Sequence, residues 1–172
     1  SENIGLVEQG TAVARADYQI ALLSLARVFK TSLATIPSEG PYLQPPADGP
    51  KLQVPSDGPR IGLVWAGKPT HKNNRNRSIS LETMLPLLEL TNMRFVGLQK
   101  GDGADQPKVL GADALVINIG ERMRDFADTA SILKQLDLLI SVDTSVVHLA
   151  GALGVQAWVL IPYSPDWRWL YG

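Results

Sequence analysis

Two short polar stretches carry the side chains of this chain that could do chemistry. The first, GKPTHKNNRNRS (67–78), is basic throughout, and no acid occurs between Asp57 and Glu82. Its basic side chains are Lys68, His71, Lys72, Arg75 and Arg77. The second stretch, DTSVVH (143–148), combines a carboxylate, two hydroxyls and a histidine. Proteins hold phosphate groups with cationic side chains and with hydroxyl or amide donors, so both stretches predict a phosphate-bearing ligand.

The second stretch begins at the end of a predicted strand. The sequence predicts a buried strand at Leu138–Val142, a polar turn at Asp143–Thr144, a helix at Ser145–Leu153 and a second buried strand at Gln156–Ile161. Thr144 is a favourable N-cap whose hydroxyl can accept from a nearby amide, and Gly154 stands where glycine commonly ends a helix. The turn therefore presents a hydroxyl, free amides and His148 beyond the carboxyl end of a strand, where phosphates bind in open α/β sheets.

Each of these features also has a plainer interpretation. The basic segment could be a solvated loop, Asp143 could only orient the turn, and a helical histidine such as His148 is often structural. The turn Gln99–Gly103 ends another predicted strand and could meet the base or ribose of a nucleotide, although such turns are common. Asp143 and His148 are a close pair of potential metal ligands without an evident third, so no metal site is expected.

The elements that must position these stretches alternate between strand and helix from Arg60 onward. The sequence predicts strands at 61–67, 93–99 and 114–119, and helices at 81–90, 105–110 and 126–136. Short connections between alternating strands and helices indicate an α/β fold with a doubly wound parallel sheet. Because the carboxyl ends of parallel strands share one edge, we expect the basic segment to lie beside the Asp143–His148 turn.

The first 59 residues follow a different pattern. A short strand is predicted within residues 1–10 and an apolar helix at Tyr18–Phe29. Segment 37–59 contains seven of the twelve prolines and is predicted to be a linker that includes the main domain boundary. At the other end, the aromatic-rich tail 162–172 follows the last predicted strand directly, and we expect the chain to be a fragment of a longer protein.

Composition narrows the class of protein. The chain has 172 residues, 45% of them hydrophobic and 19% charged, as in an ordinary globular domain. A net charge of −1 argues against a nucleic-acid-binding protein, and the absence of cysteine excludes disulfides and suits the cytoplasm. No signal peptide or membrane insertion is expected, because no apolar run reaches the length of a span.

Three blocks of the sequence resemble a known protein family. DTSVVHLAGALG (143–154) is similar to the signature D-T-[GS]-x-x-H-x-A-x-A-L of the ADP-heptose:lipopolysaccharide heptosyltransferases, which have the two-domain GT-B fold. The sequence resembles more closely the heptosyltransferase-like domains that follow tetratricopeptide repeats in many bacterial proteins. That resemblance extends over residues 22–43, 62–79 and 125–170.

The resemblance implies a division of the chain and a set of site residues. Residues 1–36 would be a remnant of the N-terminal acceptor domain with its connector helix, and residues 60–172 the Rossmann-like donor-binding half of a GT-B fold, truncated at its C-terminus. The implied diphosphate-binding residues are Arg77, Asp143, Thr144, Ser145, Val146 and His148. The other cations of the basic segment are candidate additional phosphate contacts by their charge and position: Lys68, His71, Lys72 and Arg75. The resemblance places base or ribose contacts near Lys100–Asp105. Together with the Gln99–Gly103 turn, it gives the candidates Gln99, Lys100, Gly101 and Asp105. Arg77 stands where the family has a phosphate-binding lysine.

The implied activity is an inverting, metal-independent transfer of a sugar from a nucleotide diphosphate to an unknown acceptor hydroxyl, without a cofactor. The catalytic base is expected in the missing N-terminal half, so no catalytic residue is assigned here and the chain alone is expected to be inactive. Its expected partners are the nucleotide sugar, the acceptor, that missing half and the tetratricopeptide repeats. Two alternatives stay open: a non-catalytic nucleotide-binding scaffold, and a nucleotide-sugar epimerase of similar architecture.

Overall fold

The structure, a computed structural model, describes residues 5, 7–8, 10–13, 15–55 and 57–169. The chain divides into two compact units, Ser1–Ser38 and Glu39–Gly172. In the first unit, the predicted helix at Tyr18–Phe29 is reduced to a 3-10 turn at Leu22–Ser24 and helix α1 at Leu25–Val28. Neither element buries a residue, and an isolated apolar run without a packed face does not sustain a long helix.

The strand predicted within residues 1–10 falls largely outside the described residues. Every strand of the described residues belongs to the second unit and to one five-stranded sheet. These strands are β1 Arg60–Val64, β2 Arg94–Gly97, β3 Val116–Asn118, β4 Leu138–Val142 and β5 Ala157–Leu160. The helices of this unit are α2 Asn74–Arg77, α3 Leu81–Leu88, α4 Gln106–Val109, α5 Phe126–Leu133 and α6 Ser145–Leu153.

The strands are all parallel and lie in the order β3-β2-β1-β4-β5. Helix α3 covers one face of the sheet, where Leu81 and Met84 pack in one cluster with Leu63. Helices α5 and α6 cover the other face and contribute Leu133 and Leu153 to a second cluster. These observations confirm the predicted α/β class with a doubly wound, Rossmann-like parallel sheet. The inner strands β1, β2 and β4 are buried on both faces, which is the reason that they read as unbroken apolar runs. The edge strand β5 alternates between partly buried and exposed residues, so the prediction that it is buried is wrong.

The observed bounds differ most from the predicted ones at the carboxyl ends of β1 and α5, each of which ends three residues early. β4 and α6 begin and end where the sequence predicts. β1 ends at Val64 rather than residue 67, because the amides of Trp65 and Ala66 donate to the side chain of Gln99 instead of to a neighbouring strand. The basic segment, predicted as a loop, contains the short helix α2.

Part of the proline-rich segment is packed on the sheet unit. The amides of Tyr42 and Leu43 both donate to the carbonyl oxygen of Ala152 in α6, at 3.0 Å. The side chain of Gln135 likewise binds the backbone of residues 50–52. The compact unit that contains the sheet therefore begins well before β1.

The strand order places a topological switch point in the middle of the sheet. From β1 the chain proceeds to β2 and β3 on one side, and then crosses to β4 and β5 on the other. In open α/β sheets the crevice beyond the carboxyl ends of two such strands is the usual ligand site. The loops that follow β1 and β4 meet at this crevice. Among the described residues, no helix is long and apolar enough to cross a membrane.

Candidate functional site

A cavity of about 280 Å³ lies at the carboxyl edge of β1, β2 and β4. Half of the predicted site residues line it: Lys68, Gln99, Lys100, Gly101, Thr144, Ser145 and Val146. They come from the loops after three different strands, which only the parallel sheet brings together. The cavity thus joins the basic segment, the Gln99–Gly103 turn and the N-terminus of α6.

Helix α6 enters this cavity with an uncapped N-terminus. Thr144 occupies the N-cap position, but its hydroxyl makes no capping hydrogen bond and lies 3.3 Å from the hydroxyl of Ser141. The prediction that this hydroxyl caps the helix is therefore wrong. In contrast, Ser80 caps α3 and Asp125 caps α5 by accepting backbone amides. The first turn of α6 keeps its positive end and donor groups available to a ligand.

Arg77 connects the basic segment to the turn after β4. Its Nη1 donates to the carbonyl oxygen of Asp143 at 2.8 Å. Its guanidinium lies so close to Gly67 that a Cβ on that glycine would be 2.7 Å from Nη2. The Nε of Arg77 is buried without a hydrogen-bond partner among the described residues. The contact predicted from the sheet topology, between the basic segment and the Asp143–His148 turn, is therefore made by this side chain.

His148 lies on the outer side of α6 and is held between an acid and a tryptophan. Its Nε2 is 3.8 Å from Oδ1 of the buried Asp143. Its imidazole stacks on the indole of Trp169, with ring centroids 5.3 Å apart and an interplanar angle of 17°. The Nε1 of Trp169 is buried and has no partner among the described residues. The aromatic tail, to which the sequence assigns no role in the site, thus orients His148.

The other seven predicted residues do not line the cavity, and Arg77, Asp143 and His148 are among these seven. His71, Lys72 and Arg75 are exposed, and Nδ1 of His71 accepts from a backbone amide two residues on. Asp105 is exposed at the start of α4. Because residues two apart on a helix do not share a face, α2 directs Arg75 and Arg77 differently, and only Arg77 reaches the turn.

A second cavity, of about 260 Å³, adjoins the first, and sequence reasoning missed it. The two share the lining residues Leu98, Lys100, Ser145 and Val146. The far wall of the second cavity includes Met123, Arg124, Asp125, Phe126 and Thr129, at and before the N-terminus of α5. Topology could have found this wall, because residues 119–125 follow the carboxyl end of β3 and so lie at the same edge of the sheet.

The acids at the start of α5 are satisfied within the protein. Asp125 accepts from the amides of Ala127 and Asp128, each at 2.9 Å. The buried carboxylate of Asp128 accepts from Nε and Nη2 of Arg124, both at 2.8 Å, and from its amide at 2.9 Å. The bonds from the Arg124 guanidinium have the largest effect and the bond from its amide the next largest, and together they hold the pKa of Asp128 well below its ordinary value.

Replacing Asp128 with asparagine should remove a pH-dependent part of the stability. A carboxyl whose pKa is lowered by folding binds protons more readily in the unfolded chain, so its stabilising effect is present above about pH 4 and lost as the pH falls. The free energy of unfolding, measured with urea, should fall less steeply from about pH 7 to about pH 3 for Asp128→Asn than for the parent chain. Asp113→Asn is the control, because Asp113 is exposed, and its free energy of unfolding should depend on pH as that of the parent does. Equal slopes for Asp128→Asn and the parent would contradict the prediction.

The described residues contain no group of three histidine, cysteine or acidic side chains that could hold a metal ion. Around the two cavities the chemistry comes instead from cations and backbone amides. Lys68 and Lys100 line the first cavity, and Nζ of Lys100 donates to the carbonyl oxygen of Met123 at 2.5 Å. Lys100 lines both cavities and therefore lies where they join.

The same fold occurs in a solved enzyme structure. No family model matches the chain, and no curated protein matches it. The structure of the E. coli heptosyltransferase WaaC with ADP-2-deoxy-2-fluoro heptose matches it with a TM-score of 0.50 and 18% sequence identity. The match covers 70% of this chain and 36% of that chain. At this identity the likeness establishes the fold alone: the chain has the Rossmann-like α/β fold found in a heptosyltransferase of the GT-B class.

Proposed function

We propose that the cavity at the carboxyl edge binds the diphosphate of a nucleotide sugar and that residues 60–172 are the donor-binding half of a glycosyltransferase. The observation that carries the proposal is the uncapped N-terminus of α6, which opens into a cavity lined by Lys68 and Lys100. Helix amides and lysine side chains together favour a group with more than one negative charge. The binding of ADP-2-deoxy-2-fluoro heptose by WaaC, which has the same fold, supports this choice of ligand.

The adjoining cavity is the proposed site of the ribose and base. It continues from the first cavity past Lys100 and ends at the N-terminus of α5. The ring of Phe126 is 59% exposed there, and two bonds to Asp128 fix the orientation of the planar Arg124 guanidinium. Both surfaces can stack on a base. Lys100 and Gly101 would lie between base and diphosphate, whereas Asp105 contacts neither cavity.

The proposed reaction is the transfer of the sugar to an acceptor hydroxyl. The hydroxyl oxygen attacks the anomeric carbon, the bond from that carbon to the diphosphate oxygen breaks, and the hydroxyl proton passes to a base. The α6 amides, Arg77 and His148 stabilise the negative charge that develops on the departing nucleotide diphosphate. We assign no base within this chain; the base, the acceptor site and the tetratricopeptide repeats are proposed to belong to a longer protein, with no cofactor and a cytoplasmic location.

One observation favours a non-catalytic binding module instead. The acids that line the two cavities in the described residues are Asp102 and Asp125, and the carboxylate of Asp125 is used to cap α5. A domain that only binds nucleotide needs no general base. Sugar transfer by the full-length protein, given donor and acceptor, would distinguish the glycosyltransferase from this alternative.

Isothermal titration calorimetry of this chain with ADP, UDP, GDP and CMP tests the binding site directly. Two or three charge-assisted hydrogen bonds, less the losses from ordering, correspond to a Kd between about 1 mM and about 1 μM. We expect binding at the weak end, with one nucleoside diphosphate preferred over the others and over CMP, because the proposed ligand group is a diphosphate. Absence of binding by all four ligands at several times the weakest expected Kd would contradict the proposal for this chain.

A further inference from the structure

Gln99 is a buried polar side chain in the wall of the first cavity, 2% exposed. Its Oε1 accepts from the amides of Trp65 and Ala66, at 3.1 and 2.9 Å. Its Nε2 donates to the carbonyl oxygens of Ala66 and Asp102, at 3.1 and 2.8 Å. One side chain therefore ties the loop after β1 to the loop after β2.

These four bonds use the whole hydrogen-bonding capacity of the amide. A primary amide has two N–H donors and an oxygen with two lone pairs, and each of them has a backbone partner here. Gln99 has nothing left to offer a base or a ribose. Contact with either, as predicted from the position of the Gln99–Gly103 turn, would cost at least one bond to the loops.

Neighbouring side chains extend the same connection. Nε1 of Trp65 donates to the carbonyl oxygen of Gly103 at 3.2 Å. Nδ2 of Asn118, at the end of β3, donates to the carbonyl oxygens of Gln99 and Ala104, both at 3.0 Å. The loops after β1, β2 and β3 are thus joined through side chains centred on residue 99.

We propose that Gln99 is a positioning residue of the nucleotide site: it holds two walls of the diphosphate cavity in place without touching the ligand. The inference rests on the proposed function. Residues 66–69 and 99–102 both line the cavity, and Gln99 binds the backbone of each segment. A ligand that binds walls already in place does not have to order them, so its affinity depends on this side chain.

The test compares two glutamine-to-methionine variants of the same chain. Gln99→Met keeps the size of the side chain and removes all four bonds. Gln135→Met is the matched control, because Gln135 also binds three backbone groups, those of Leu52, Pro50 and Ser131, but lines neither cavity. We expect Gln99→Met to weaken binding of the preferred nucleoside diphosphate roughly tenfold in calorimetry, and Gln135→Met to leave it unchanged. Parent affinity in Gln99→Met, or an equal loss in both variants, would overturn the proposal.

Amide hydrogen exchange separates failure of this inference from failure of the proposed function. In Gln99→Met, the amides of Trp65 and Ala66 should exchange faster while those of β4 keep their protection. If exchange follows this pattern but the parent chain binds no nucleotide, the connection exists and the proposed function is wrong. If these amides keep their protection, the positioning role is wrong. Should Gln99→Met not fold, Trp65→Phe removes the bond to Gly103 together with part of a fully buried ring, and about a twofold loss of affinity is expected from it.

Discussion

Arg77→Ala will weaken binding of the preferred nucleoside diphosphate by tenfold or more, which corresponds to about 1.4 kcal/mol or more. The substitution removes a cation from the site together with the bond from its guanidinium to the carbonyl oxygen of Asp143. That bond fixes the loop after β1 against the N-terminus of α6, so its loss affects both charge and geometry. Calorimetric titration of the variant and the parent chain measures the effect.

Arg75→Ala is the matched control for this variant. Both arginines belong to α2, carry the same charge and lie outside the lining of both cavities, but Arg75 is exposed and only Arg77 binds the carbonyl oxygen of Asp143. Its loss should change affinity only through long-range charge, and raising the salt concentration should abolish that small change. Equal effects of the two substitutions would mean that the basic segment attracts nucleotides as a diffuse field. The assignment of Arg77 to the site would then be wrong.

Gly120→Ala will destabilise the sheet unit strongly. A Cβ on Gly120 would lie 1.9 Å from the carbonyl oxygen of Gln99 and 2.4 Å from its carbonyl carbon. Both atoms are backbone and cannot turn aside, so the loops after β2 and β3 must move apart and the backbone of Gln99 is displaced. Such overpacking costs roughly 3 kcal/mol or more. Urea unfolding should show a lowered midpoint, and nucleotide affinity should fall with it, because the displaced backbone belongs to Gln99.

Gly151→Ala is the control for Gly120→Ala and is expected to stabilise the protein instead of destabilising it. Gly151 lies inside α6, and an added Cβ there meets no atom within 4 Å. Alanine in a helix interior is favoured over glycine by up to ~1 kcal/mol, so this variant should be more stable than the parent. A loss of stability in Gly151→Ala comparable to that in Gly120→Ala would show that close approach is not what distinguishes the two positions.

The parts of the fold that the sequence predicts well are those with a buried, local pattern. β4 and α6 have their predicted bounds because an apolar β-branched run, a polar turn and a final glycine all agree there. The juxtaposition of the basic segment with the Asp143–His148 turn follows from parallel topology alone. The helix predicted at Tyr18–Phe29 is shortened because apolar composition without a packed face does not determine its length.

The parts that could not be predicted depend on single long-range side-chain contacts. The early end of β1 is set by Gln99, which lies 34 residues later than Trp65, and no local pattern indicates that bond. The contact of Trp169 with His148 is also long-range, because it requires the C-terminal tail to return to α6, and no local pattern indicates it. The location of the second cavity could have been predicted from the topology. Its wall includes Asp125 and Phe126, however, and their local sequence indicates only the start of a helix.

The central place of β1 in the sheet has a consequence for the order in which the domain can be made. Ile61 pairs with Phe95 on one side and with Leu138 on the other. During synthesis from the N-terminus, β1 gains its first neighbour early and its second only when β4 emerges. Until then the middle strand of the finished sheet is an open edge, and such edges promote aggregation. A chaperone that shields nascent chains should therefore act on this protein mainly before β4 is synthesised.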